Sequence, residues 1–116
     1  IRFLYELMAN IYKNAKADLT ANTATTVYTV PSDSRSIVKS IIVSEDSGNA
    51  DSITLTITDA SSNVFSLFKT KAVSANATVE LLSQPLVLQE SEILKATAAT
   101  ANRLHIVVSV LEINRS

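Results

Sequence analysis

Ser52-Ile-Thr-Leu-Thr-Ile-Thr-Asp59 alternates apolar and polar residues without a break. A β-strand turns successive side chains to opposite faces, so Ile53, Leu55 and Ile57 belong to a core face and Thr54, Thr56 and Thr58 to a solvent face. Thr25 to Val30 and Ala77 to Leu82 repeat the pattern. Asn63 to Phe68 sets Phe65 and Leu67 opposite Val64 and Phe68, and these four are expected to supply much of the aromatic core. Lys13 to Leu19, Leu86 to Leu88 and Ile93 to Thr97 are shorter pieces of the same kind.

Two runs are apolar on both faces: Ser36-Ile-Val-Lys-Ser-Ile-Ile-Val43 and Arg103 to Ile113. In the second, Leu104, Ile106, Val108 and Val110 form one row, and His105, Val107, Ser109 and Leu111 the other. An antiparallel sandwich normally wets its outer faces, so the surplus apolar positions Val38, Ile42, Val107 and Leu111 point to a contact with another subunit. Eight or nine strands of about five residues each predict an all-β fold, an antiparallel β-sandwich of jelly-roll or Ig-like type. The Ala-rich stretch Ala96 to Ala101 reads as a strand end and turn, because its threonines and its neighbours disfavour a helix.

Turn chemistry is constrained by a single Gly and two Pro. Gly48 sits in Glu45-Asp-Ser-Gly-Asn-Ala-Asp51, which reads as a hairpin loop. Asn22, Asp33, Asn63, Asn76 and Asn102 are the candidates for the remaining left-handed positions.

The domain plan is an N-terminal arm over residues 1–12 and a sandwich over residues 13–116. Ile1, Leu4, Met8 and Ile11 would share one stripe if the arm were helical, with Phe3 and Leu7 beside it. The piece is too short to be stable alone, so it is expected to dock, with Phe3, Leu4, Leu7 and Tyr12 as anchors. Met8, the only Met, reads as a natural start, and the seven residues before it as an extension.

The inventory of reactive groups is small. With no Cys there is no thiolate nucleophile, disulfide or cysteine metal site. His105 is the sole imidazole, and its place mid-strand fits a packed or interface residue better than a triad. Glu45, Asp46 and Asp51, like Glu90 and Glu92, lie in polar loops, where solvated carboxylates are ordinary. Asp46, Asn49 and Asp51 surround Gly48 without the spacing of a calcium loop. The ten Lys and Arg are scattered in a chain of net charge -1, which argues against nucleic acid. No apolar run approaches the roughly 18 residues that span a bilayer, and no membrane partner is expected. No cofactor, metal or catalytic site is expected.

Four segments carry a resemblance: Asn10-Ile-Tyr-Lys-Asn-Ala-Lys16, Val27-Tyr-Thr-Val-Pro31, Ile37-Val-Lys-Ser-Ile-Ile-Val-Ser-Glu-Asp46, and Ala101-Asn-Arg-Leu-His-Ile106 leading to Leu111-Glu-Ile113. From Met8 onward their order resembles small β-sandwich virion proteins of tailed bacteriophages, cyanophage-like in character. The extension before Met8 departs from that pattern. The resemblance implies a non-enzymatic capsid decoration or cement protein, a homotrimer on the virion that contacts the major capsid protein or other virion proteins. A neck, collar or tail-associated protein of the same virion is the nearest alternative. A receptor- or carbohydrate-binding module is another, disfavoured because the chain has no Trp and only six aromatic residues.

Overall fold

The computed structural model describes residues 10–114. Nine strands follow one another: β1 (Asn10–Leu19), β2 (Thr25–Thr29), β3 (Ser34–Glu45), β4 (Asp51–Thr58), β5 (Val64–Val73), β6 (Thr78–Glu80), β7 (Leu86–Leu88), β8 (Ile93–Ala98) and β9 (Leu104–Asn114). No helix occurs among the described residues, and the all-β sandwich stands. The arm residues Phe3, Leu4 and Leu7 lie outside the described residues. Tyr12 and Ile11 are in β1, which starts three residues before Lys13.

One sheet has the order β1-β9-β3-β6, with β7 also paired to β3, and the other has the order β2-β8-β4-β5. Every pairing is antiparallel. The chain changes sheet at most of its loops, so few neighbours in space are neighbours in sequence. Gly48 accordingly lies on a connection between the sheets, from β3 to β4, and the hairpin reading of that loop is corrected. Gly48 has φ 83, where a side chain would be strained.

The core lies between the sheets. Ile106, Val108 and Val110 of β9 and Ile41 and Val43 of β3 face Leu94 and Ala96 of β8 and Ile53 and Leu55 of β4. The small alanines of β8 leave room for the branched side chains opposite, as close packing requires. Tyr28 is the buried aromatic of the core, and of the four β5 residues Leu67 and Phe68 are partly buried and pack against that core, while Phe65 is 55% exposed and Val64 is also open to solvent. Strand β5 is an edge strand, and its register with β4 slips around Leu55. Phe65 pairs with Ile57 beyond the well-covered centre, and the period-2 expectation fails there.

Polar groups tie the two sheets together. The Tyr28 hydroxyl, from β2, donates to Glu112 Oε2 on β9 at 2.5 Å and meets Ser36 Oγ on β3 at 2.6 Å. Lys13 Nζ pairs with the same Glu112 oxygen at 3.0 Å. Burial, reinforced by the bond to Glu112, pushes the Tyr28 phenol well above its usual range. Glu45 is the second buried acid. It accepts from the Ser47 amide at 2.8 Å, the Asn76 amide at 2.9 Å and the Gly48 amide at 3.1 Å, and from the Ser47 hydroxyl. Burial pulls the Glu45 carboxyl upward, but these donors outweigh it and hold it at about 2.

Two outcomes are expected. Tyr28→Phe removes a donor from buried Glu112 and should cost about 1–3 kcal/mol, read from the urea midpoint at pH 7. For Glu45 the folded-state value lies below the ordinary 4.5, so the unfolded chain binds the extra proton as pH falls. Its stabilisation is complete above about pH 4.5 and is lost progressively toward about pH 2. Urea midpoints across that window should fall for the wild type and fall less steeply for Glu45→Gln.

Candidate interaction surface

Paired residues of an antiparallel ladder point to the same side of a sheet, so the registers assign each side chain to a face. The first sheet turns a row of four apolar residues outward, one per strand: Tyr12 on β1, Leu111 on β9, Ile37 on β3 and Val87 on β7. Two rungs along the strands, Asn14, Ser109 and Ser40 make a polar row. Two further rungs give Lys16, Val107, Ile42 and Glu80, and the last row is Asp18, His105, Ser44 and Thr78. Tyr12 is 74% exposed, Val87 60%, and Ile42 and Val107 37% each.

The second sheet is different. Its outward rungs are Thr54 with Thr97, Thr56 with Lys95, and Thr58 with Ile93, continued on β2 by Thr26 and Thr29. The second sheet turns mostly threonine outward and exposes Val64 and Phe65 at its β5 edge, whereas the first carries two apolar rows across several strands. The broader continuous apolar area is on the first sheet.

Of the positions picked from sequence, Tyr12, Ile42, Val107 and Leu111 come together on this one face. Val38 does not: it is fully buried between the sheets. The cause is a bulge in β3, where Val38 pairs with Val110 and Ser40 with Ser109, leaving Lys39 as an extra residue. Strict alternation would put Val38 and Ile42 on one side, but the inserted residue sends Val38 inward and Ile42 outward. The same shift brings Ile37 to the surface, which sequence reading missed. Val87 was missed because a three-residue strand carries too little pattern to orient it.

Glu80 holds the bulge open. Its carboxylate accepts from the Ser40 hydroxyl at 2.5 Å, the Ile41 amide at 2.7 Å and the Leu82 amide at 3.2 Å. Burial opposes ionisation there, but the Ser40, Ile41 and Leu82 donors prevail and lower its pKa. The group also bridges the gap between β6 and β7, which both pair with β3. Shallow depressions of about 250 and 410 Å³ mark the same face, one beside His105 and Lys16, the other between Tyr12, Asn14, Lys39 and Ser109.

The acids and the histidine are arranged for structure. His105 Nε2 lies 3.2 Å from Asp46 and Nδ1 3.4 Å from Asp18, on opposite sides of the ring, so the three do not converge on one point. Asp51 accepts the Thr100 amide at 3.0 Å. Asp59 accepts the Ser61 and Asn63 amides at 2.9 Å each and closes the β4–β5 hairpin. None of these groups is paired with a nucleophile and a base in catalytic geometry.

No protein-family model and no curated relative matches the chain. Solved structures do share its fold. A Bacillus endospore appendage, described as one of a family of disulfide-linked pili, superposes with a TM-score of 0.57 at 12% identity, covering 94% of this chain and 91% of that one. A chain of the acid-stable capsid of Helicobacter pylori bacteriophage KHP30 superposes with a TM-score of 0.54 at 14% identity, covering 94% of each chain. A chain of the cyanophage Pam1 capsid matches at 0.43 and 19% identity, over 92% of this chain and 86% of that one. The chain thus has a β fold that also serves in phage capsids and pili.

Proposed function

We propose that the protein is a non-enzymatic structural component of a bacteriophage virion, and within it a decoration or cement protein that stabilises the capsid shell. The observation that carries this reading is the outer face of the first sheet, where Tyr12, Leu111, Ile37 and Val87 line up across four strands above Val107 and Ile42. Such a face gains by burial in an assembly. The strand orders β1-β9-β3-β6 and β2-β8-β4-β5, with the chain alternating between sheets, support the jelly-roll form of sandwich. The likeness over nearly the full length of a phage capsid chain supports the virion setting. With no Cys in these 116 residues, the disulfide linkage named for the appendage pili is closed to this chain, and its contacts are non-covalent.

In this reading the apolar face joins copies of the chain, and the arm anchors Phe3, Leu4 and Leu7 engage the major capsid protein. The resemblance implies three copies; the mass in solution distinguishes three from two. A neck, collar or tail position uses the same surface physics with fewer copies.

Quantitative staining of purified virions is expected to give hundreds of copies per particle; about a dozen would assign the protein to the neck or tail. Deleting residues 1–9 leaves β1 whole and is expected to keep the melting temperature while lowering retention on the shell. Normal retention by the truncated chain would remove the arm from the mechanism.

A further inference from the structure

The rows on the first sheet are ordered in a way that selects a partner. The row Lys16, Val107, Ile42, Glu80 begins with a cation on β1 and ends with an anion on the opposite edge. We infer that this face is covered by a second copy of the same chain, packed face to face about a twofold axis that runs parallel to the strands midway between β9 and β3. The inference rests on the reading of this face as an assembly contact.

That axis exchanges the two edges of the sheet and keeps each row at its own height. Lys16 then faces the second copy's Glu80 and Glu80 its Lys16. Val107 meets Ile42, Tyr12 meets Val87, and Ser109 meets Ser40. Apolar rows fall on apolar rows, the polar row on the polar row, and no two like charges of these rows are opposed. Lys39, the bulge residue, lines the same depression as Tyr12 and Asn14. The other in-plane twofold, perpendicular to the strands, would set Tyr12 on Lys16 and Val87 on Glu80. It would bury two charges against apolar groups, each without a counter-ion.

The sheet geometry accommodates the pairing. Twisted sheets pack in an aligned fashion at about 30° and about 10 Å apart, as the two sheets of one sandwich do. Four strands about 4.8 Å apart, with a rise of about 3.4 Å per residue, give a patch of about 19 by 27 Å. Two such patches bury roughly 1,000 Å² in total, the lower bound for a specific interface. The dimer is therefore concentration-dependent in dilute solution and favoured where copies are crowded on a surface.

Tyr12 and Val87 stand three strands apart in one chain, about 14 Å, whereas face-to-face packing brings facing positions of two sheets to about 10 Å. In the dimer they face each other across the interface, and the chain has no other Cys to interfere. The full-length Tyr12→Cys/Val87→Cys double variant, treated at high protein concentration with a bismaleimide whose reach matches the roughly 10 Å between packed sheets, is expected to form a covalent dimer that stops at two chains, while neither single variant does. Lys16→Glu is expected to weaken the non-covalent dimer at least tenfold by sedimentation with the circular-dichroism spectrum unchanged. Val107→Asp, which leaves the Glu80 hydrogen bonds intact, is expected to give a folded monomer by circular dichroism and sedimentation. A double cysteine variant that stays monomeric, a ladder of longer polymers, or equal cross-linking by the single variants would overturn the twofold. A trimer in solution with hundreds of copies per virion would overturn it while leaving the proposed function standing.

Discussion

The placement of β9 between β1 and β3 governs the molecule. Ten consecutive residues of β1 pair with it on one side, and eleven of β3 on the other. That double ladder satisfies its backbone groups and fixes which of its side chains point inward. Leu104, Ile106, Val108 and Val110 become the floor of the core, and Val107 and Leu111 the centre of the outer face. The core and the outer apolar face are two sides of one strand, so a change in its register would exchange them.

Where a strand is regular, its orientation could be read from the residues. Ile53 and Leu55 are buried and the intervening threonines face out, and β9 keeps the two rows its alternation implies. Reading failed where an extra residue breaks the period. Lys39 reverses the second half of β3, and Phe65, though paired with inward Ile57, lies on the edge strand beyond the covered centre and stays exposed. Nothing in Ile37-Val-Lys-Ser-Ile marks the bulge in advance, because its cause is the Glu80 carboxylate forty residues away. The face was legible in outline through Ile42, Val107, Leu111 and Tyr12. Its continuity needed the pairing.

Loops followed a related logic. Among the described residues the left-handed positions other than Gly48 are Ser62, Thr70, Asn76, Ser91 and Asn102, so two of the five expected Asn and Asp positions hold. Serine takes others with a neighbouring acid closing the turn: Ser62 adopts φ 67 in the loop where Asp59 accepts two amides, and Ser91 φ 65 where Glu92 accepts the Gln89 amide. Glu45 does the same for Ser47, Gly48 and Asn76. In a chain this poor in glycine, carboxylates organise the loops by collecting amide protons. The lone pairs of these acids are thereby committed to backbone amides.

The late position of β9 delays closure of the first sheet. A chain still missing its C-terminal strand has β1 and β3 without the partner that joins them, and cannot close the first sheet. It also lacks Val107 and Leu111, so the outer face does not yet exist. A polypeptide cut short before β9 therefore lacks the centre of both the core and the outer face. Its two-faced β3 remains exposed meanwhile, at the risk of aggregation that long-range pairing brings.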